Sequence, residues 1–507
     1  MKKTKKISLL DVGTSKYLMF DDALTQEKKG FVLTMNLPAR SDKPAILPDQ
    51  SWEKGGIHGD SFTTVMEDEG VYKLWYGVDR PGAAGERKNY LSDAQIKTLD
   101  KKAQLDYLCQ DLYMLCYAVS KDGIHWEKPH LGIHEYEGSK KNNIVLISGG
   151  GNTVFKDPTA GPASRYKMIF AGGPRMIHHN RGTPPYAGYM GIYGAASADG
   201  IHWKKPRSVM QWYTDCTAVC YWDECIRKYV AFVRYNETMT RRGDETFRVK
   251  GNFYRAVGRA ESDDFWNFPQ PAKILEPAAA DLAGHADAPG IDRMEIYNTS
   301  AVKYPFAADS YFMFPGYYRP HSEMTDIGLA TSRDGVNYTR WPDPYLGVGQ
   351  EGAFDSKMVH MATGMIVRDS TIAMYYIGSD YLHDVSSIPP DTGGVGKADI
   401  RLDGFVSQDA GRSGGNLVTI PLKFSGSRLE LNMDAAAGGH LKVELLGKSC
   451  KPIVGYARQD ADRLRGNDLR KTVTWNGASD LAALKGQTVR LNFIGKGVKL
   501  YAFQFPA

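Results

Sequence analysis

Short apolar runs separated by polar and Gly- or Pro-containing turns dominate the pattern from residue 50 to about residue 410. YMLCYAVS, YGAAS, YRAVGRAES, IGLATS and IRLDGFVS each read as a strand, and each runs into a segment starting with serine. The first two of these segments, SKDGIHWEKP from Ser120 and SADGIHWKKP from Ser197, are near copies; SDDFWNF from Ser262, SRDGVNY from Ser332 and SQDAG from Ser407 are fainter ones. Asp and Gly tolerate tight-turn dihedrals, so the shared signature is strand, turn, aromatic. Upstream of each lies a further pair of strand-like runs, such as SFTTVMEDEGVYKLWYGV or CTAVCYWDECIRKYVAFVRY, broken by its own turn.

The five serines stand roughly 65 to 77 residues apart, and a period of that size dictates architecture. Units holding about four strands each match the blades of a β-propeller, in which radial repetition leaves only short, protected edges. The expected fold is therefore all-β, a five-bladed propeller over residues 50–411, reached through an N-terminal segment of residues 1–49. Trp126 and Trp203 recur at equivalent positions, which argues for packing between blades and makes the repeated text scaffold. One insertion interrupts the first blade: SDAQIKTLDKKAQLDYL, with Ser92 and Gln95 in a capping-box pattern, predicts a helix. From residue 412 to 507 the texture changes to long alternating runs with Gly-rich turns, which predicts an antiparallel β-sandwich that either binds sugar or packs on the propeller.

Composition adds little against this picture. With 42% hydrophobic residues and 507 positions there is material for two or three well-filled cores. A net charge of +5 and a single short basic run, MKKTKK, do not suggest a nucleic-acid partner. No transmembrane run is visible, and Asp11 interrupts the apolar stretch that would make a signal peptide. A trimmed leader would leave the same text, so the compartment stays open between periplasmic or extracellular and cytoplasmic. The six cysteines, at 109, 116, 216, 220, 225 and 450, lack zinc-site spacing and read as core thiols; no metal and no cofactor is implied, and oligomeric state is unknown.

Chemistry in a ring of blades belongs where the innermost strands begin, because those starts converge on one axis whatever their separation in sequence. The openings offer Asp60 in HGDSF, Asn152 in GGGNTVF, Asp215 in YTDCT, Glu295 in RMEIYN and Asp355 in AFDSKMV. Carboxylates gathered in one hollow repel each other and are costly to desolvate. Glycoside cleavage supplies a reason to tolerate them: one carboxylate acts as base or nucleophile, and one carboxylic acid protonates the leaving oxygen. Glu295, set between Met294 and Ile296, is a poor structural choice for an apolar strand. Asp60 and Asp215 also suit turn caps before strands. Glu53 in QSWEKGG is a rival for Asp60, while Asp157 in FKDPTAG has ordinary turn chemistry.

The five-fold repeat, the acids opening blades one, three and four, and the trailing sandwich resemble the furanosidase propeller superfamily, glycoside hydrolase families thirty-two and forty-three and their relatives. The likeness is similar in extent to the whole chain, and bacterial proteins with family thirty-two-like N-terminal domains resemble it more closely. It implies Asp60 as nucleophile or base, Asp215 as the residue that orients or stabilises, and Glu295 as general acid. Family thirty-two would show NDPNG-like, RDP and EC motifs where this chain has HGDSF, YTDCT and MEIYN. The substrate is therefore left open.

Trp52, Glu53, His58, Asn152, Arg234, Tyr297, Asp355 and His360 are the expected carbohydrate contacts around those acids. Arg234, Arg241, Arg242, Arg248, Arg255 and Arg259 either select an anionic sugar or line solvated strand edges. The expected activity is an exo-acting glycoside hydrolase on a furanoside-type or related glycan. A propeller glycoside phosphorylase and a carbohydrate-binding propeller without catalysis are the alternatives.

Overall fold

The structure, a computed structural model, describes residues 9–57, 63–79, 98, 113–148, 150–172, 191–212, 214, 216–236, 239–242, 245–248, 254–283, 293–383 and 389–507. It is a five-bladed β-propeller followed by a β-sandwich. Blade one pairs Thr63–Asp68, Val71–Asp79, Tyr113–Ser120 and Ile144–Ser148 in that order, all antiparallel. Blade two uses Thr153–Lys156, Tyr166–Gly172, Gly191–Ser197 and Arg207–Met210. Blade three uses Ala218–Asp223, Lys228–Asn236, Arg255–Ser262 and Ala272–Leu275.

Blade four runs from Glu295–Lys303 through Tyr311–Arg319 and Ala330–Ser332 to Thr339–Arg340. Met324–Ile327 pairs antiparallel with the end of the second strand and meets Met358 of blade five in parallel, so these two blades share one sheet. Blade five has an interrupted inner strand, Met358–Met361 and Ile366–Arg368, then Thr371–Ser379 and Gly394–Arg401. Its outermost strand is Ala39–Arg40, contributed from the N-terminal side of blade one. The ring closes where Thr64 meets Thr363: the Val65 amide donates to the Thr363 carbonyl at 2.9 Å and the Thr363 amide to the Thr63 carbonyl at 2.8 Å.

The repeated turns clamp neighbouring blades. In the first, the Ser120 hydroxyl accepts from the Gly123 amide while Asp122 accepts from the amides of Ile124 and His125. Ser197 with Asp199, and Ser332 with Asp334, repeat that set of bonds. Each turn presents a carbonyl or a ring to the preceding blade. Tyr375 of blade five donates to the Gly123 carbonyl, and Trp75 of blade one donates to the Gly200 carbonyl at 2.7 Å. Trp126 meets Tyr375 edge-on with centroids 5.6 Å apart, and Trp203 packs on the core shared by blades one and two. Phe265, from the Ser262 copy, lies against Phe155 of blade two.

The fifth copy breaks the expected pattern. Ser407 and Asp409 lie within an extended strand, Val406–Ala410, that pairs with Phe31–Met35 and with Arg490–Gln504 in the second sheet. Residues two apart on a strand share a face, so Ser407 donates to Asp409 across that face rather than around a turn. Blade five makes its turn earlier, at Asp403 and Gly404, and Asp403 accepts from Tyr304 of blade four at 2.7 Å.

The sandwich is built on two long strands, Glu430–Leu446 and Arg490–Gln504, with Gly415–Thr419, Thr25–Lys29 and Gly466–Thr472 beside them. Its interior holds Leu431, Met433, Leu441, Val443, Leu491, Phe493, Leu500 and Phe503, at period two in Leu431/Met433, Leu441/Val443 and Leu491/Phe493 and shifted in phase where the register slips. Leu18, Phe20, Phe405 and Ala502 enter the core of blades four and five, where Phe405 stacks on Phe312 at 4.3 Å. The sandwich thus packs on the propeller. No helix of the described residues is long and apolar enough to cross a membrane. The helix expected from Ser92 falls outside the described residues apart from residue 98.

Candidate functional site

The innermost strand of blade four, EIYNTSAVK, is buried over its first seven residues because neighbouring blades cover it. Its register with Tyr311–Arg319 slips between Ile296 and Thr299, which takes Tyr297 and Asn298 out of the ladder. Both then make contacts to other blades. The guanidinium of Arg234, on blade three, lies 4.1 Å from the centre of the Tyr297 ring, and its Nε donates to the Tyr297 carbonyl at 2.8 Å. Asn298 meets Nδ1 of His360, on blade five, at 3.1 Å.

Glu295 opens the same strand and is 3% exposed. Arg255 NH1 donates to its Oε2 at 2.8 Å, and Arg293 NH2 stands 3.0 Å from its Oε1. The Arg255 guanidinium also lies 5.3 Å from the ring centres of both Tyr297 and Tyr318. The Tyr297 hydroxyl meets His383 Nε2 at 2.7 Å, and the His383 ring sits 4.8 Å from that of Tyr318. Cys216 is buried with the two tyrosines. Burying charge in such a place is tolerated because each ion has a partner: the guanidiniums have aromatic faces and a carboxylate, which a point ammonium would match less well.

Three blades therefore bring together four of the residues expected from sequence: Arg234, Glu295, Tyr297 and His360. To these the structure adds Arg255, Arg293, Asn298, Tyr318 and His383 as direct neighbours. Arg255 belongs to a group of arginines close in sequence, but only the fold pairs it with Glu295. Arg259 goes elsewhere: it pairs with Glu261 and lies across Phe232. For Tyr318 and His383, in loop-bounded text without a repeat signature, no pattern in the sequence pointed to the site.

The other expected contacts have surroundings of their own. Trp52 donates to Asn143 at 2.8 Å inside the core of blades one and five. Glu53, fully buried, caps its own short helical turn by accepting from the amides of Asp49 and Gln50, and also accepts from Lys128 Nζ at 2.7 Å and from the Tyr76 hydroxyl. These bonds tie down the chain before blade one. Asp355 accepts from Tyr376 at 2.8 Å and pairs with Arg40 at 3.0 Å, tying the N-terminal strand to blade five. Asn152 is buried at the opening of blade two, next to Gly151, whose carbonyl accepts from Ala218 of blade three. Asp60, His58 and Asp215 lie outside the described residues, as do the side chains of Arg241, Arg242 and Arg248. Thr214 and Cys216, which flank Asp215, are buried.

No family model matches the chain, and no curated protein does. Among solved structures it is similar to an N-acetylgalactosamine deacetylase from F. plautii in complex with blood group B trisaccharide, at 13% identity and a TM-score of 0.43, over 73% of this chain and 96% of that one. It is also similar to a β-1,2-mannobiose phosphorylase from Listeria innocua, at 15% identity and a TM-score of 0.42, over 72% and 97%. A glycosyl hydrolase from Bacteroides ovatus matches at 12% identity and a TM-score of 0.41, over 72% and 94%.

Proposed function

We propose that this chain is a glycoside hydrolase, exo-acting on a furanoside-type or related glycan, that works at the openings of the propeller's innermost strands. The observation that carries the reading is a buried carboxylate, Glu295, set at a strand opening among aromatic, imidazole and guanidinium groups from three blades. Aromatic faces suit the CH surfaces of a sugar ring, and His and Arg suit its hydroxyls. Asp60 is assigned as nucleophile or base, Glu295 as general acid and Asp215 as its modulator. As proton donor, Glu295 has first to take up a proton from solvent and release one guanidinium contact, so that the carboxylic acid faces the substrate's leaving oxygen and passes the proton to it as the glycosidic bond breaks. A second reading, a phosphorylase, draws on the three arginines near Glu295, since guanidiniums also suit phosphate.

One experiment separates these readings. Aryl glycosides, furanosides first, are incubated with the wild-type chain in the presence and absence of inorganic phosphate, and products are identified. Release of free sugar at a rate independent of phosphate is the expected result. Sugar phosphate formed only with added phosphate would replace the hydrolase by the phosphorylase. Absence of turnover across the panel, with saccharide binding retained, would leave a binding propeller.

A further inference from the structure

The sandwich carries a charged surface that the site above does not use. His440 on one long strand faces Lys496 on the other as a direct cross-strand pair, and Leu441 bridges Leu464. Since Leu441 and Leu464 both point into the core, their neighbours His440, Lys442, Arg463 and Arg465 fall on the opposite, outer face together with Lys496. Arg463, Arg465 and Lys496 are exposed, while His440 and Lys442 are half-buried. None of Arg463, Arg465 and Lys496 has an ion pair among the described residues; Lys442 donates to the Arg458 carbonyl. Two carboxylates stand on the Lys442 side, and both are engaged: Asp462 accepts from the Gly477 amide, and Glu444 from the Arg458 amide and Asn492.

We propose that this face docks an anionic glycan, a saccharide chain carrying carboxylates or sulfates. Four fixed cations at cross-strand and next-but-one spacing make a row of positive charge that an alternating or acidic surface of the chain itself does not neutralise. Burial and the four surrounding cations also hold the His440 imidazole below its ordinary value, as an anion-seeking field would. Lys496 stands six residues from Ala502, which packs on the propeller, so it lies on the order of 20 Å further along the same strand. A single-stranded nucleic acid is the poorer fit, because base stacking needs exposed aromatic rings. The aromatic side chains of the neighbouring loop are occupied, Tyr456 against Trp475 and Trp475 in the core. The choice of a glycan among polyanions rests on the carbohydrate reading given above.

The test uses affinity electrophoresis of the full chain through gels containing polygalacturonate, chondroitin sulfate or neutral mannan, with double-stranded DNA and phosphatidylserine vesicles as further probes. The expected result is retardation by the two acidic polysaccharides alone, weakening by about tenfold or more between low and moderate salt. The triple variant Arg463→Ser, Arg465→Ser, Lys496→Ser should lose about tenfold in affinity while turnover of a small aryl glycoside is unchanged. A milder variant, Arg463→Gln with Arg465→Gln, should lose part of it with the same circular dichroism spectrum as wild type. Retardation by no acidic polysaccharide, equal retardation by DNA or vesicles, or undiminished retardation of the triple variant each overturns the proposal. Because glycoside turnover is measured separately, failure of docking and failure of the hydrolase reading give different results.

Discussion

Glu295→Gln tests whether this carboxylate handles a proton or only holds two arginines in place. The substitution keeps the side-chain shape and an oxygen able to accept from one guanidinium, but removes the charge that Arg255 and Arg293 share at 2.8 and 3.0 Å. A hydrogen bond to a charged group contributes about 1.5–3 kcal/mol, so with one contact retained the expected stability loss is about 2 kcal/mol. Loss of a general acid, by contrast, costs on the order of 10² to 10⁴ in rate, and that loss depends on the leaving group. The assay is kcat/KM against aryl glycosides graded from phenyl to 2,4-dinitrophenyl, with urea unfolding of the same preparations. Dinitrophenolate departs without protonation, so the variant should approach wild type there and fall progressively behind as the leaving group worsens. Losses of equal size across the series would refute the acid assignment and leave Glu295 as the residue that positions Arg255 and Arg293. Equal rates in wild type and variant would remove it from the mechanism altogether.

Other outcomes follow from the same geometry. Gly200 has φ of +80° and a Cβ there would stand 2.8 Å from Trp75, so Gly200→Ala should lose about 2–4 kcal/mol in urea unfolding. Gly132, at φ of +72° with nothing within 4 Å, should lose only about 1 kcal/mol as Ala, and equal losses would deny the inter-blade clamp. Tyr297→Phe removes the 2.7 Å contact with His383 while keeping the ring over which Arg234 lies, so KM should rise a few-fold with kcat little changed. A double-mutant cycle with His383→Ala should show coupling of about 1 kcal/mol. Burial alone would raise the Asp334 carboxyl, but the Asn337 side chain, the Asn337 and Val336 amides and Ser332 hold it down to about 2, against 3.8 ordinarily. A depressed folded value contributes stability above pH about 4 that is lost as pH falls toward 2, so the urea midpoint should drop over that window. Asp334→Asn should flatten the slope; an unchanged slope would place the acid sensitivity elsewhere.

Local pattern in the sequence carried the architecture. Strand runs, turn residues and the Ser-Asp-Gly repeat are short-range features, and a propeller blade is assembled from neighbours in sequence, so period alone implied five blades. It misled at Ser407, where the same letters sit in a strand, because pairing with Phe31–Met35 and Arg490–Gln504 is a long-range matter. The closing strand Ala39–Arg40 was invisible for the same reason.

Strand openings and an ill-placed Glu pointed to Glu295, and the fold brings it together with Arg234, Tyr297 and His360. What surrounds them was decided by closure of the ring: Arg255 and Arg293 come to Glu295, and His383 to Tyr297, from positions whose local text is ordinary. Likewise Glu53 and Asp355 look like candidate acids in sequence, yet burial beside Lys128 and Arg40 turns them into anchors. A sequence states which groups are available and which strands they open. Only the tertiary structure decides which charges meet, because that depends on packing between blades far apart along the chain.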